Sequence, residues 1–253
     1  MIHAKQYGNS KPALVVLHGL FGNADNWHSI AKKWQEDFTV YCLDLPNHGK
    51  SSRLTPVTYE NMSNEIKHFL DQEGLQEVYL LGHSMGGKVA MQLASDFPEK
   101  IKKLVVADIA PVDYQPSHTE IFKGLLAINS QQPSSRKEAD SILSEYESEA
   151  GVRQFLLKNL SQTSSGYTID LGLEELHESY ETILQSPSLK EGLETDILFI
   201  KGENSPYIQA KYQNQTARYF PNAQVKIIPG TGHWLHAEKP IPFTSLVKRF
   251  FTA

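Results

Sequence analysis

Ser84 stands in Val78-Tyr79-Leu80-Leu81-Gly82-His83-Ser84-Met85-Gly86-Gly87, surroundings suited to a nucleophile. A serine hydroxyl is weak at neutral pH. To attack a carbonyl carbon it needs a base for its proton, a group to hold that base, and donors for the oxyanion that forms. Gly-x-Ser-x-Gly alone arises by chance in about one chain in ten of this length and composition, so its flanks carry the argument. An apolar strand runs into the motif, and Val89, Ala90, Leu93, Ala94 and Phe97 recur after it at helical spacing. A strand-to-helix turn this sharp strains the serine backbone and exposes the hydroxyl, and Gly82 and Gly86 let strand and helix come close. The helix dipole and the N–H of Met85 then favour negative charge beside Ser84.

The base comes from Ile228-Pro229-Gly230-Thr231-Gly232-His233, where a histidine sits in a glycine-containing loop after the last apolar run. His233 follows the nucleophile in the order that a Ser, acid, His chain requires. His236 is its rival, but the glycines flank His233, and His236 is expected to start or cap the next helix. In His18-Gly19-Leu20-Phe21-Gly22 the glycines allow close approach to the nucleophile. The N–H of Leu20, with Phe21 as the alternative, is placed beside that of Met85 in an oxyanion hole. Both side chains also offer apolar surface to an acyl group. Asp44-Leu45-Pro46-Asn47-His48-Gly49 reads as a turn braced by its own polar groups.

These residues need a frame. Short apolar runs, Ala13–Leu17, Val40–Leu43, Val78–Leu81, Leu104–Ala107, Ile197–Ile200 and Val225–Ile228, alternate with helical patterns. Runs that are continuous rather than alternating are strands buried on both faces, which predicts a mostly parallel α/β sheet flanked by helices. Helices are expected over Asp25–Trp34, Tyr59–Leu70, Ser84–Phe97, Pro206–Tyr219 and Phe243–Phe250. Ligands on such sheets bind beyond the carboxyl ends of the strands, where the residues above lie.

The chain has 253 residues, 40% of them hydrophobic, enough for one large domain carrying an insertion. A net charge of −5 and no basic run with interleaved aromatics argue against nucleic acid. No apolar stretch suits a signal peptide or reaches the ~20 residues needed to span a bilayer, so a cytoplasmic setting is expected. The single cysteine, Cys42, lies in Val40-Tyr41-Cys42-Leu43 and reads as a small core residue.

His18-Gly19, Asp44 with His48-Gly49 and Ser51, Gly82-His83-Ser84-Met85-Gly86-Gly87 and Gly232-His233 occur in the order and spacing of the α/β-hydrolase superfamily. With Asp108-Ile109-Ala110-Pro111-Val112-Asp113-Tyr114, Asn204-Ser205-Pro206-Tyr207 and Gly232-His233-Trp234-Leu235-His236-Ala237-Glu238-Lys239-Pro240, the chain resembles the YbfF-type esterases from first strand to last helix. The resemblance implies a serine esterase or thioesterase acting on acyl esters, acyl-CoA among them, without a metal or organic cofactor. Such hydrolases commonly carry the acid after the strand matching Ile197–Ile200, where this chain reads Gly202-Glu203-Asn204-Ser205. Asn204 and Ser205 have no charge, and Glu203 lies one step off. Asp108 ends the neighbouring strand on the same sheet edge, and the resemblance also puts the acid there. Asp113, read as a cap or lid-hinge residue, is second choice.

From 114 to 192 the strand pattern stops. Helices over Glu120–Ile128, Ser135–Tyr146, Val152–Leu160 and Leu173–Leu184 suggest a strand-free lid, with the hydrolase core in 1–113 and 193–253. Ser130–Ser135 and Thr163–Gly166 read as mobile loops. Selectivity for chain length and head group belongs to this lid. The candidate substrate-binding residues are Phe21, Phe122, Phe155 and Trp234. Arg136, Lys137, Arg153 and Lys158 offer charge to CoA phosphates, but scattered helix cations are usually a solvated face. Two rivals stay open: a carbon–carbon bond hydrolase, whose serine often follows Asn where this chain has His83, and a ligand receptor that keeps the fold without turnover. Dehalogenase and epoxide hydrolase chemistry needs Asp at position 84, and no dinucleotide-binding Gly-x-Gly-x-x-Gly occurs.

Overall fold

In the computed structural model, which describes residues 1–9 and 11–253, each apolar run forms a strand. The strands are β1 (His3–Tyr7), β2 (Ala13–Leu17), β3 (Thr39–Asp44), β4 (Val78–His83), β5 (Ile101–Ala107), β6 (Leu160–Gln162), β7 (Tyr167–Ile169), β8 (Ile197–Gly202) and β9 (Gln224–Ile228). Seven of them form one sheet in the order β1-β3-β2-β4-β5-β8-β9. All neighbours are parallel except β1, which is antiparallel to β3. The helices are α1 (His28–Trp34), α2 (Tyr59–Gln72), α3 (Met85–Asp96), α4 (Thr119–Gln131), α5 (Arg136–Ser144), α6 (Ala150–Leu156), α7 (Leu173–Glu178), α8 (Tyr180–Leu184), α9 (Gln213–Tyr219), α10 (Leu235–Glu238) and α11 (Pro240–Thr252).

The continuous apolar strands have two buried faces because alternate side chains serve different cores. Val15 and Leu17 join one with Ile66 of α2 and Val89 of α3, whereas Leu14 and Val16 join the other with Trp34 of α1 and Val247 of α11. The parallel strands carry their carboxyl ends to one edge. There His18, Ser84, Asp108 and the loop after Gly202 meet, and there the chain between β5 and β8 packs its helices.

Several expectations are corrected. β1 is an extra strand: His3-Ala4-Lys5-Gln6-Tyr7 has no apolar run, but an edge strand exposed to solvent needs none, and it pairs in register from His3 opposite Asp44. β9 is not buried on both faces, because it is the far edge, with Val225 and Ile227 at 52% and 55% exposure. The helix expected from Pro206 begins only at Gln213, after a 3-10 turn over Ala210–Tyr212. A turn at Ser205, whose Oγ accepts from the N–H of Tyr207, keeps that stretch open. Asp25–Trp34 likewise starts as a 3-10 turn over Ala24–Trp27.

The insertion is not strand-free. β6 and β7 form an antiparallel hairpin, Leu160 opposite Ile169, and Thr163–Gly166 is its turn. Gly166 takes φ +143, a conformation open to glycine alone. The expected helix over Val152–Leu160 therefore ends at Leu156, and the one over Leu173–Leu184 breaks at Ser179 into α7 and α8.

The approach of strand to helix around the nucleophile is testable by volume. A Cβ on Gly82 would lie 2.2 Å from the Gly86 carbonyl oxygen, and one on Gly86 2.4 Å from that of His18. Gly82→Ala is expected to cost at least the ~1–3 kcal/mol of an overpacked core site, read as a lower urea midpoint. Gly151→Ala, in α6 with nothing within 4 Å of the added methyl, is expected to leave the midpoint unchanged or raise it.

Candidate active site

The turn between β4 and α3 holds Ser84 at φ 54, ψ −125, outside the regions that L-residues favour. The site over-determines that strain. The Ser84 N–H donates to the Ala107 carbonyl at 3.0 Å, and its own carbonyl accepts from Gly87 at 2.8 Å and Lys88 at 3.2 Å. The hydroxyl is thereby aimed at the loop after β9. His233 Nε2 lies 3.0 Å from Ser84 Oγ, and His233 Nδ1 lies 2.7 Å from Asp108 Oδ2. A carboxylate only accepts, so the Nδ1 beside it carries the ring proton and Nε2 presents its lone pair to the hydroxyl.

Asp108 is fully buried, at φ 54, just past β5. Besides the imidazole, it accepts the N–H of Gly202 on Oδ1 at 3.0 Å and the hydroxyl of Ser205 on Oδ2. Of the alternatives, Glu203 accepts the Gly230 N–H at 2.7 Å, and Asp113 accepts that of Ser186 at 2.7 Å. Neither is hydrogen-bonded to His233 among the described residues. Asn204 binds the same loop through its backbone, N–H to the Thr231 carbonyl at 2.9 Å.

Backbone N–H groups beside Ser84 differ in whether they have a partner. The Phe21 N–H donates to His48 Nε2 at 3.1 Å. Among the described residues, those of Leu20 and Met85 have no acceptor in the protein, and Met85 is the first residue of α3, where no intrahelical partner exists. His48 in turn donates from Nδ1 to the Pro46 carbonyl at 2.8 Å, so the loop histidine braces the oxyanion loop.

Four histidines around the site are buried and neutral, each for the same leading reason, removal from water. Burial holds His48 and His236 down at about 3, pushes His83 well below the usual range, and lowers His18. Their uses differ. His83 donates from Nε2 to the His233 carbonyl at 2.9 Å and so fixes the loop of the base, a role its place beside the serine gave no sign of. His18 Nε2 accepts the Leu45 N–H at 2.9 Å. His236 stacks on Trp27, ring centres 4.5 Å apart and planes at 15°, and belongs to α10 itself, not to a cap after it.

A cavity of about 580 Å³ opens at Ser84. Leu20, Phe21, Phe155, His233 and Trp234 line it, as do Trp27 and His236, which the sequence did not single out for this. Phe122 does not. It is fully buried, packed edge-on against Phe21 and Tyr180 at 4.9 and 5.1 Å, and its neighbour Ile121, about 100° around the helix, reaches the cavity instead. Tyr207 is a further addition, its ring 4.2 Å from that of His233. Of the lid cations, Arg153 is held by Asp140 at 3.0 Å and Arg136 by the Leu157 carbonyl at 3.0 Å, whereas Lys158 lines the cavity. Among the described residues no cluster of three or more metal-ligating side chains occurs, and no helix is long and apolar enough to cross a membrane.

The family described as alpha/beta hydrolase fold matches residues 12–240. The chain is 40% identical over 247 residues to the sn-1-specific diacylglycerol lipase ABHD11 of Mus musculus, covering 94% of this chain and 80% of that one. It is 34% identical over 248 residues to Esterase YbfF of Escherichia coli (strain K12), covering 98% and 95%. Among solved structures, a marine microorganism esterase superposes with a TM-score of 0.95 at 36% identity, covering 98% of both chains.

The neutral histidines give stability a pH dependence of fixed sign. Unfolded histidine takes up its proton near pH ~6.5, whereas folded His48 and His236 do so only at about 3. Between those values the unfolded chain binds more protons, so stability present above pH ~6.5 is lost on acidification. Urea midpoints are expected to fall steadily from pH 7 to pH 4.5, and His48→Gln to flatten that slope. A constant midpoint over the range would mean these imidazoles are charged in the folded protein.

Proposed function

The chain belongs to the α/β-hydrolase fold family and, within it, to the esterases of YbfF type, and on that premise we propose that it hydrolyses carboxylic esters through an acyl-enzyme on Ser84. The observation that carries this reading is the hydrogen-bonded line from Ser84 Oγ through both ring nitrogens of His233 to buried Asp108, facing two unoccupied N–H groups.

In the first half-reaction the Ser84 oxygen bonds to the ester carbonyl carbon while His233 Nε2 takes the hydroxyl proton. The electron pair of the C=O bond moves to its oxygen, which the N–H groups of Leu20 and Met85 receive. Collapse of this intermediate breaks the bond to the alcohol oxygen, and His233 returns the proton to it. Water then repeats the sequence and releases the carboxylic acid. Asp108 stays ionised, fixes the tautomer and stabilises the imidazolium. The same steps apply to a thioester, acyl-CoA included, and Lys158 at the cavity wall is the cation placed to meet such a head group. The reading further makes residues 114–192 a lid on the core formed by 1–113 and 193–253, with Leu20, Phe21, Phe155 and Trp234 as the apolar contacts of the substrate. The setting is cytoplasmic in this reading, in keeping with a single cysteine, Cys42, that cannot form an internal disulfide.

Ser84→Ala is expected to remove turnover down to the ~10³–10⁴ over the uncatalysed rate that binding and oxyanion donors alone sustain. Intact mass after a fluorophosphonate should show one adduct on the wild type and none on the variant. An unmodified wild type, or near-native turnover in Ser84→Ala, refutes the mechanism.

The acid has its own test. Asp108→Asn keeps the shape but loses the charge and can select the wrong tautomer, so kcat is expected to fall on the order of 10⁴ with little change in KM. Asp113→Asn and Glu203→Gln should stay within about tenfold, ~1.4 kcal/mol in the barrier. If one of these collapses while Asp108→Asn does not, the acid is that residue.

A further inference from the structure

Two cavities meet at Ser84. The large one, about 580 Å³, has His233, Trp234, Trp27 and Phe155 in its walls. A small one, about 40 Å³, is lined by Met85, Lys88, Ile109, Tyr180, Ile183 and Leu184. Leu20, Ser84, Ser117, His118 and Tyr207 border both, so they are two halves of one site.

Which half takes which part of an ester follows from the path of the proton. His233 must deliver it to the leaving oxygen, so the alcohol departs on the side that His233 lines, the large cavity. The carbonyl oxygen is held by Leu20 and Met85. The acyl carbons, still bonded to Ser84, take the remaining direction, past Met85 into the small cavity. Its size is fixed by polar ties across it. Lys88 Nζ donates to the Leu184 carbonyl at 2.9 Å and to that of Gln185, and Tyr59 donates its hydroxyl to the Ile183 carbonyl. Against about 580 Å³ for the large cavity, the small one offers about 40 Å³ on the same measure, less than a tenth of the room, so it suits an acyl chain of few carbons.

Resting on the acyl-enzyme reading of Ser84, we infer that this enzyme is specific for esters of short acyl groups with bulky, largely apolar alcohols. Ile183 and Leu184, at the end of α8, set the acyl limit; Phe155 and Trp234 receive the alcohol.

The test measures kcat/KM on two series of esters. With benzyl alcohol fixed, activity is expected to drop at least tenfold between butanoate and octanoate, since a misplaced methylene alone discriminates by about tenfold or more. With acetate fixed, it is expected to rise about tenfold from methyl to 2-naphthylmethyl, the same scale for pocket contacts. Leu184→Ala should raise the octanoate-to-acetate ratio, and Phe155→Ala should lower the naphthylmethyl-to-methyl ratio while leaving the acyl ratio alone. If the α8 variant does not fold, the wild-type series decides by itself. Octanoate turned over as well as acetate, or methyl esters preferred throughout, overturns the assignment of the halves while turnover and the Ser84 phosphonyl adduct persist. No turnover of any ester together with no adduct instead overturns the acyl-enzyme reading beneath it.

Discussion

A carboxylate with no exposure to water is the constraint around which the site is built. Burying an ion costs several kcal/mol unless paired and hydrogen-bonded, and Asp108 meets that demand with an imidazole N–H, a backbone N–H and a hydroxyl. Those donors come from the end of β8, the loop after it and the loop after β9, so Asp108 at the end of β5 is satisfied only because β8 is its neighbour. Ala107 pairs with Ile200, and the Asp108 N–H continues the ladder to the Ile200 carbonyl at 2.8 Å. Gly202 then has to pass so near Gly232 that a Cβ would sit 2.0 Å from its carbonyl oxygen. The loop after β8, where a relative of this fold would carry the carboxylate, instead solvates one supplied from next door.

Around that ion the other polar groups are kept neutral. His18, His48 and His83 each bind backbone, and together they fix the loops that carry Leu20 and His233. Neutral imidazole suits this work. It accepts on one nitrogen and donates on the other, and it adds no positive charge to compete for Asp108 or to repel the imidazolium that forms on His233.

The sequence made the sheet legible where apolar runs were continuous, because two buried faces leave no room for polar alternation. It did not announce β1 or the exposure of β9, since an edge strand obeys one core or none. In the site, Ser84 and His233 stand out from their loops, and Asp108 from the end of its strand together with the family resemblance, and the structure brings the three into hydrogen-bonding distance in line. His83 and Tyr207 do not stand out in this way, because their roles come from contacts between distant segments, His83 with a carbonyl 150 residues away. Phe122 failed for a rotational reason: periodicity finds the buried face of a helix but does not say which residue on it faces a cavity and which faces the neighbouring helix.

Lys88 joins the insertion between β5 and β8 to the helix that follows Ser84. Four residues after Ser84 and 2% exposed, it carries a cation into the core, where burial pushes it down to about 7 and Asp113 acts in the opposite sense. Its partners are the carbonyls that the end of α8 leaves without helical donors, the place where a cation best complements a helix. The helix that follows Ser84 therefore also holds the wall of the small cavity, adding to the tie from Tyr59. A second polar tie, Asn159 Nδ2 to the Phe21 carbonyl at 2.7 Å, fastens the middle of the insertion to the loop after β2. Just before Asn159, α6 lines the large cavity, where Phe155 and Trp234 lie ring to ring at 6.2 Å. Directional bonds from Lys88 and Tyr59 thus hold the wall of the small cavity, while across the large one the direct meeting of α6 with the His233 loop is apolar, ring against ring.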